Sequence, residues 1–310
     1  MPILQLFLHH SRLPKMPKSI FVLLLFIATA ISVQATPLST DTSTISFMTW
    51  NVEMLPRVFF FIHHKPVIRA RIIPAHLLLD APDVIVLQEA FDSKAVRILK
   101  RKLRATYPYM CGPANRKAIS FKINSGVMIF SKWPLREIET IRFEQCAGDD
   151  CYARKGALLT ELDIKGKKVQ LLGTHVQAGG TAEIKTSQYK QIADLLNRHI
   201  VTGVPQMICG DFNTFQSDTL LYPIMIKTLQ AENGPFSGEL KYTSDHFVND
   251  LCEDFARPGC ERDVIDYILY RSNGQPFSSV SRTIIEYLQP WHKKHKYLSD
   301  HNAVLMKLKW

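Results

Sequence analysis

The sequence predicts a layered α/β sandwich, and three observations carry that expectation. Short apolar runs rich in β-branched residues recur along the 310-residue chain, segments with helical spacing lie between some of them, and no repeat, low-complexity tract or Gly/Ser linker divides it. Runs of this length read as buried or half-buried strands. Many strands with only a few helices favour packed layers over a repeating strand–helix–strand unit.

The elements follow in order. Strands are expected over residues 45–52, 83–87, 126–130, 157–164, 169–175, 206–209, 264–270 and 303–308. The spacing predicts a helix over 93–106, with Ser93 as N-cap and Val96, Leu99 and Leu103 on one face. A second helix over 183–199 places Ile184, Ile192, Leu195 and Leu196 together in the same way. The loops at one end of such a sandwich are where a site would be built.

Residues 1–35 read as a secretory signal peptide. Lys15 and Lys18 precede an apolar stretch over 20–33, and Val33-Gln34-Ala35 supplies a small-x-small cleavage site. That stretch is shorter than the ~20 residues needed to cross a bilayer comfortably, and no later run reaches that length. Met16 alone would give a leader of ordinary proportions, which marks residues 1–15 as a candidate mis-called start. The expectation is an exported protein, extracellular or periplasmic, in which residues 36–310 form a single domain.

The formal charge of +10 falls to +7 once the leader's Arg12, Lys15 and Lys18 are taken away. Moderate positive charge suits an anionic partner such as nucleic acid or a lipid surface, and equally an ordinary basic surface. There are six cysteines. Export permits disulfides, but an even count does not assign them. Cys146 and Cys151 flank a Gly-Asp-Asp turn, and Cys252 and Cys260 bracket a Pro-Gly loop, so both are candidate local pairs. Cys209, within Met207-Ile208-Cys209, reads as a small buried hydrophobe; Cys111 is unassigned. No Cys-x-x-Cys pair accompanies suitably spaced histidines, which argues against a structural zinc site.

The chemistry lies in five strings: Thr49-Trp50-Asn51-Val52-Glu53, Val86-Leu87-Gln88-Glu89-Ala90-Phe91-Asp92, Gly173-Thr174-His175, Gly210-Asp211-Phe212-Asn213 and Ser299-Asp300-His301-Asn302. Asn51 and Glu89 each end an apolar run, where a side chain is held rigidly yet reaches solvent. That placement suits a hard, oxygen-seeking cation such as Mg²⁺, which takes one or two carboxylates and keeps other positions for water or phosphate. His175 could donate to a phosphoryl oxygen or protonate a leaving alkoxide. Asp211 and Asn213, two apart, can face one site if the backbone stays extended. His301 needs a carboxylate to fix its tautomer. Asp266, an acid within the apolar stretch Val264-Ile265-Asp266-Tyr267-Ile268, is costly to bury without such a partner. Asp263 competes for that role from the strand entrance. Taken singly, each string has an ordinary reading as a turn or a solvated strand end; together they supply what phosphate-ester hydrolysis requires.

The five strings resemble the endonuclease/exonuclease/phosphatase superfamily over roughly residues 45–308. That resemblance implies a four-layer α/β/β/α sandwich and Mg²⁺-dependent hydrolysis of phosphodiesters or phosphomonoesters, with one ion or two and Mn²⁺ or Co²⁺ as substitutes. It implies metal ligation by Glu89 with Asn51 and Asp300. It places His175, Asp211, Asn213 and His301 in catalysis, with Asp266 supporting His301. Val86–Asp92, Asn124–Lys132 and Thr174-His175-Val176-Gln177-Ala178 are most similar to the neutral and secreted bacterial sphingomyelinases. Asp150 and Lys155 match a segment linked to activity in that branch, and Phe212 differs from the Leu usual in inositol phosphatases.

The secreted members also carry an exposed aromatic hairpin before the last string. Here residues 286–297 are shorter and strongly basic, with Tyr287, Leu288 and Trp291 as the apolar contacts. The expected function is therefore secreted, Mg²⁺-dependent cleavage of sphingomyelin to ceramide and phosphocholine at a phospholipid surface, by a monomer. Lys155, Trp291, His175 and Asn213 are the expected substrate contacts. The alternatives are a secreted metal-dependent nuclease using the basic segment 291–296 on nucleic acid, and a non-catalytic lipid-binding relative.

Overall fold

The computed structural model describes residues 44–56, 64–116, 122–252 and 261–310. The leader, the start expected near residue 36 and Cys260 of the second candidate disulfide lie outside them. In chain order the elements are β1 Thr44–Met54, α1 Pro66–Asp80, β2 Val84–Ala90, α2 Ser93–Leu103, β3 Tyr109–Cys111, β4 Met128–Ser131 and β5 Leu135–Arg142. They continue with β6 Gly156–Ile164, β7 Lys167–His175, α3 Ala182–Arg198, β8 Gln206–Asp211, α4 Leu221–Leu229, β9 Ser244–Asp245 and β10 Arg262–Asp263. The last are β11 Asp266–Arg271, β12 Ser279–Ile285, β13 Leu288–His292, β14 His295–Tyr297 and β15 Ala303–Lys309.

Two sheets form the middle of the molecule. One has six strands in the order β12-β15-β1-β2-β4-β3, the other five in the order β11-β8-β7-β6-β5. Each contains one parallel pair, β1 with β2 and β7 with β8, among antiparallel neighbours. Alternate side chains then separate the layers. Ile45 and Phe47 of β1 and Val84 and Val86 of β2 meet Leu158, Val169, Leu171, Met207, Cys209 and Ile268 between the sheets. Met48, Trp50 and Val52, with Ile85 and Leu87, face α1 and α2 instead. Leu159, Leu172, Ile208 and Leu269 face α3 and α4. Three apolar interfaces between four layers are the predicted sandwich. Burial of both faces explains why its central strands read as continuous apolar runs.

Several local expectations change. Asp92, not Ser93, caps α2: its Oδ1 accepts from Lys94 N at 3.0 Å and Ala95 N at 2.8 Å. A carboxylate placed one residue earlier reaches those free amides and complements the helix dipole. Thr181 is the N-cap residue of α3. Helix α1 had no periodic signal, because apolar residues surround it and Pro66 and Pro74 lie within it. The segment preceding the Ser-Asp-His string folds as the β13–β14 hairpin. Cys146 and Cys151 form a disulfide, and Cys209 is buried in β8. Among the described residues, no helix is long and apolar enough to cross a membrane.

Candidate active site

Strand parity places most of the site. Asn51 continues the inter-sheet face of Phe47 and Thr49, His175 that of Val169 and Leu171, Asp211 that of Met207 and Cys209, and Asp266 that of Ile268. All four stand at one end of the sandwich, because the two parallel pairs finish there. His175 is in register with Asp211, and Asp211 with Asp266. Gly210 permits the close pairing of β7 and β8 at this end: a Cβ there would lie 2.3 Å from Thr174 O.

Parity alone would direct Glu89 to the outer face. Instead Glu89 takes φ 55°, a left-handed conformation rare for a residue with a Cβ, and turns toward Asn51. Glu53 (φ 48°) and Asn213 (φ 48°) share that conformation at neighbouring strand ends. Strained backbone of this kind clusters at functional sites.

Asn51 lies at the centre. Its Nδ2 donates to Glu89 Oε1 at 3.1 Å and to Asp211 Oδ2 at 3.0 Å, joining the two sheets. His175 Nε2 is 3.4 Å from Asp211 Oδ2 and 4.0 Å from Glu89 Oε1. Lys155 Nζ and Asn213 Nδ2 lie 3.0 and 3.2 Å from the same ring nitrogen, and each also donates to Val176 O at 3.1 Å. Asp150 Oδ1 pairs with Lys155 at 2.6 Å, and Asp150 sits in the short turn closed by the Cys146–Cys151 disulfide. His301 Nδ1 is 2.8 Å from Asp266 Oδ2, and its Nε2 is 4.0 Å from Asp211 Oδ2. The competing Asp263 is engaged elsewhere, accepting from the amides of Val264, Gln216 and Ser217.

The electrostatics separate the two histidines. Burial, the Lys155 ammonium and His301 hold His175 well below the ordinary range, which favours the neutral imidazole beside Lys155 and Asn213. Burial would also lower His301, but the carboxylates of Asp266, Asp300 and Asp211 outweigh it and hold that imidazole well above its usual value. Burial and then Asp266 push Asp211 up to about 7. Burial and then Glu53 push Asp300 up to about 6, and burial and then Asp300 raise Glu89. Such a set of crowded, hard-oxygen carboxylates fits a divalent cation. Ligand atoms of Asp211, Asp266 and His301 also lie within 4.8 Å of one another, but Asp266 is committed to His301.

Trp291 joins the cluster by none of its described contacts. Its indole donates to Tyr297 O at 2.7 Å, and its ring stacks on His295 with centroids 5.2 Å apart. Three nearby residues escaped the sequence reading. Glu53 follows Asn51 by two in the same string, which was a usable signal. Arg69 and Lys185 lie on helices, with nothing local to mark them. Lys185 Nζ donates to Asn213 O and lines a groove of about 440 Å³ with Asn213, Phe215, Asp218, Arg262 and His301.

Known proteins are similar to this chain. Sphingomyelinase C of Leptospira interrogans is 30% identical over 67% of this chain, which spans 40% of that protein. Sphingomyelinase C of Bacillus cereus is 28% identical, with 88% of this chain and 91% of the relative covered. The crystal structure of sphingomyelinase C from Streptomyces griseocarneus superposes with a TM-score of 0.75 at 25% identity, covering 85% of this chain and 99% of the other. The model of the Endonuclease/Exonuclease/phosphatase family matches residues 48–301, from β1 to the histidine before β15. That span takes in both parallel pairs and every polar group gathered at their ends, and the chain belongs to the endonuclease/exonuclease/phosphatase family.

Proposed function

We propose that this protein is an exported, divalent-metal-dependent phosphodiesterase that hydrolyses sphingomyelin to ceramide and phosphocholine. The observation that carries the reading is the convergence of Asn51, Glu89, His175, Asp211, Asn213 and the Asp266–His301 pair at one end of the two sheets. The similarity to sphingomyelinases C supports the choice of substrate.

Glu89, with Asn51 and Asp300, would hold Mg²⁺, and when bound the ion supplies a Lewis acid at the phosphate and charge stabilisation for the leaving oxygen. The chain's own groups do the rest. Asp266 fixes the His301 tautomer and leaves Nε2 facing the site. His301 can accept a proton from the attacking water once the charges of Asp211 and Asp300 are neutralised, and Asp211 orients that water. Lys155 and Asn213 would turn a donor to a phosphoryl oxygen by releasing their shared bond to Val176 O. Neutral His175, with Nε2 beside both donors, holds them in place; this geometry favours a positioning role for His175 over proton donation.

The test is hydrolysis by the purified mature protein of sphingomyelin liposomes beside plasmid DNA, with Mg²⁺ and with chelator. Metal-dependent phosphocholine release with intact plasmid is expected. Nicked plasmid with untouched lipid would replace the substrate by nucleic acid, held by the basic hairpin residues Lys293, Lys294 and Lys296. Liposome binding without hydrolysis of either substrate would reduce the protein to a lipid-binding relative.

A further inference from the structure

Arg69 of α1 has no solvent-exposed surface and no part in the chemistry above. Its nearest carboxylate oxygen, Glu53 Oε2, is 3.6 Å away, so its donors serve mainly backbone. Nη1 donates to Val52 O and to Leu298 O, both at 2.8 Å. Nε donates to His64 O at 2.7 Å, and Nη2 to Glu53 O. Only a planar guanidinium offers this many donors in a fixed fork. Val52 and Glu53 form the exit of β1, whereas Leu298 begins the short segment that delivers Asp300 and His301.

Two further bonds join the same stretches. Ser299 Oγ donates to Asn51 O at 2.7 Å, and Trp50 Nε1 donates to His301 O at 2.8 Å. Ser299 is 1% exposed and Trp50 fully buried, so water does not compete for either bond. Burial lowers the Arg69 guanidinium, and the acids Glu53, Asp300 and Glu89 act against that, in keeping with the 3.6 Å approach of Glu53 Oε2.

We propose that Arg69 is a positioning residue of the metal pocket: with Ser299 and Trp50 it clamps the exit of β1 to the segment 298–301. The clamp sets the spacing between Asn51 and Glu89 on one side and Asp300 and His301 on the other. The inference rests on the metal-pocket reading given above, but not on the identity of the substrate. Arg69→Lys keeps the charge and loses the fork. Ser299→Ala removes a second tie without touching α1.

The experiment compares both variants with the parent by Mg²⁺ titration calorimetry, by kcat and KM on sphingomyelin liposomes, and by melting temperature. Tyr107→Phe serves as the control, because Tyr107 is equally buried and donates to Pro82 O at 2.8 Å, away from the pocket. Arg69→Lys and Ser299→Ala should each weaken Mg²⁺ binding by about tenfold or more and lower kcat with little change in KM, as residues that orient metal ligands do. Tyr107→Phe should lower only the melting temperature. If both variants melted earlier but kept Mg²⁺ affinity and kcat within about twofold of the parent, the role would be structural and the proposal wrong. Should Arg69→Lys fail to fold, Trp50→Phe takes its place by removing the indole donor to His301 O, because Ser299 Oγ also lies 3.2 Å from Asp300 Oδ1. A parent that binds Mg²⁺ but leaves sphingomyelin intact would overturn the substrate assignment while the calorimetry still judges the clamp. A parent that binds no Mg²⁺ would overturn the pocket and the clamp's purpose together.

Discussion

Replacing Asp211 by Asn should make the metal-free protein more stable while removing most of its activity. Asp211 is 1% exposed and titrates at about 7 instead of 3.8, driven by burial and then by Asp266. An acid whose folded pKa is raised costs nothing below its unfolded value. The cost grows as pH rises toward the folded value and is constant above it. Moving the titration from 3.8 to about 7 corresponds to roughly 4 kcal/mol at the plateau.

An Asn at 211 removes that cost, but its amide cannot reproduce both carboxylate acceptors, which now serve Asn51 Nδ2 and Asn213 N. One lost hydrogen bond costs about 1 kcal/mol, and the attraction to His301 is already contained in the titration at about 7, so a net gain of about 3 kcal/mol remains. For a chain of this size that raises the melting temperature by roughly 5–10 °C. The assay is thermal unfolding of parent and variant in chelator, at about pH 5 and about pH 8, with the variant's advantage larger at the higher pH. Saturating Mg²⁺ should narrow the difference, since the parent alone keeps the full carboxylate set. kcat should fall by about 100-fold or more. A variant less stable than the parent at the higher pH, or an advantage that shrinks as pH rises, would refute the reasoning. The negative charge at 211 would then be neutralised inside the protein by the imidazolium of His301, 4.0 Å away.

Three other outcomes follow from the same geometry. Glu89→Gln should abolish hydrolysis and the Mg²⁺-induced rise in melting temperature while leaving the circular dichroism unchanged; retained activity would remove Glu89 from the metal. Asp266→Asn allows an amide N–H to face His301 Nδ1, which selects the wrong tautomer, so kcat should drop by about 10²–10⁴ with KM nearly constant; an equal loss in KM would point to substrate binding instead. Cys146→Ser with Cys151→Ser should cost about 2 kcal/mol of stability from the short loop alone. It should also lower kcat severalfold by loosening Asp150 on Lys155, and unchanged kcat would show that the ion pair holds without the disulfide.

Much of the site was legible before any fold was known. Asn51, His175 and Asp211 each stand two residues beyond a buried inter-sheet position of their own strand, Thr49, Gly173 and Cys209. Asp266 likewise stands two residues before Ile268. A period of two is a covalent property of an extended chain, so sequence suffices to put these side chains on a common face. The same local rule made the central strands visible and, through the Gly-Asp-Asp turn, the Cys146–Cys151 pair. It failed for α1, whose apolar residues surround the helix and leave no polar face to mark.

What sequence by itself determined, then, are the central strands, the polar residues at their ends and the family they resemble; the edge strands β5 and β12, only partly buried, carry no continuous apolar run to mark them. The tertiary structure decided how those ends meet. Glu89 reaches Asn51 only because its backbone adopts a left-handed conformation against its local preference. His301 is paired with Asp266 instead of Asp263 because β11 carries Asp266 beside Asp211 while neighbouring amides occupy Asp263. Arg69 acquires its place from carbonyls on two distant stretches of chain. Each of these depends on contacts between residues far apart in sequence, whose energies no local pattern contains.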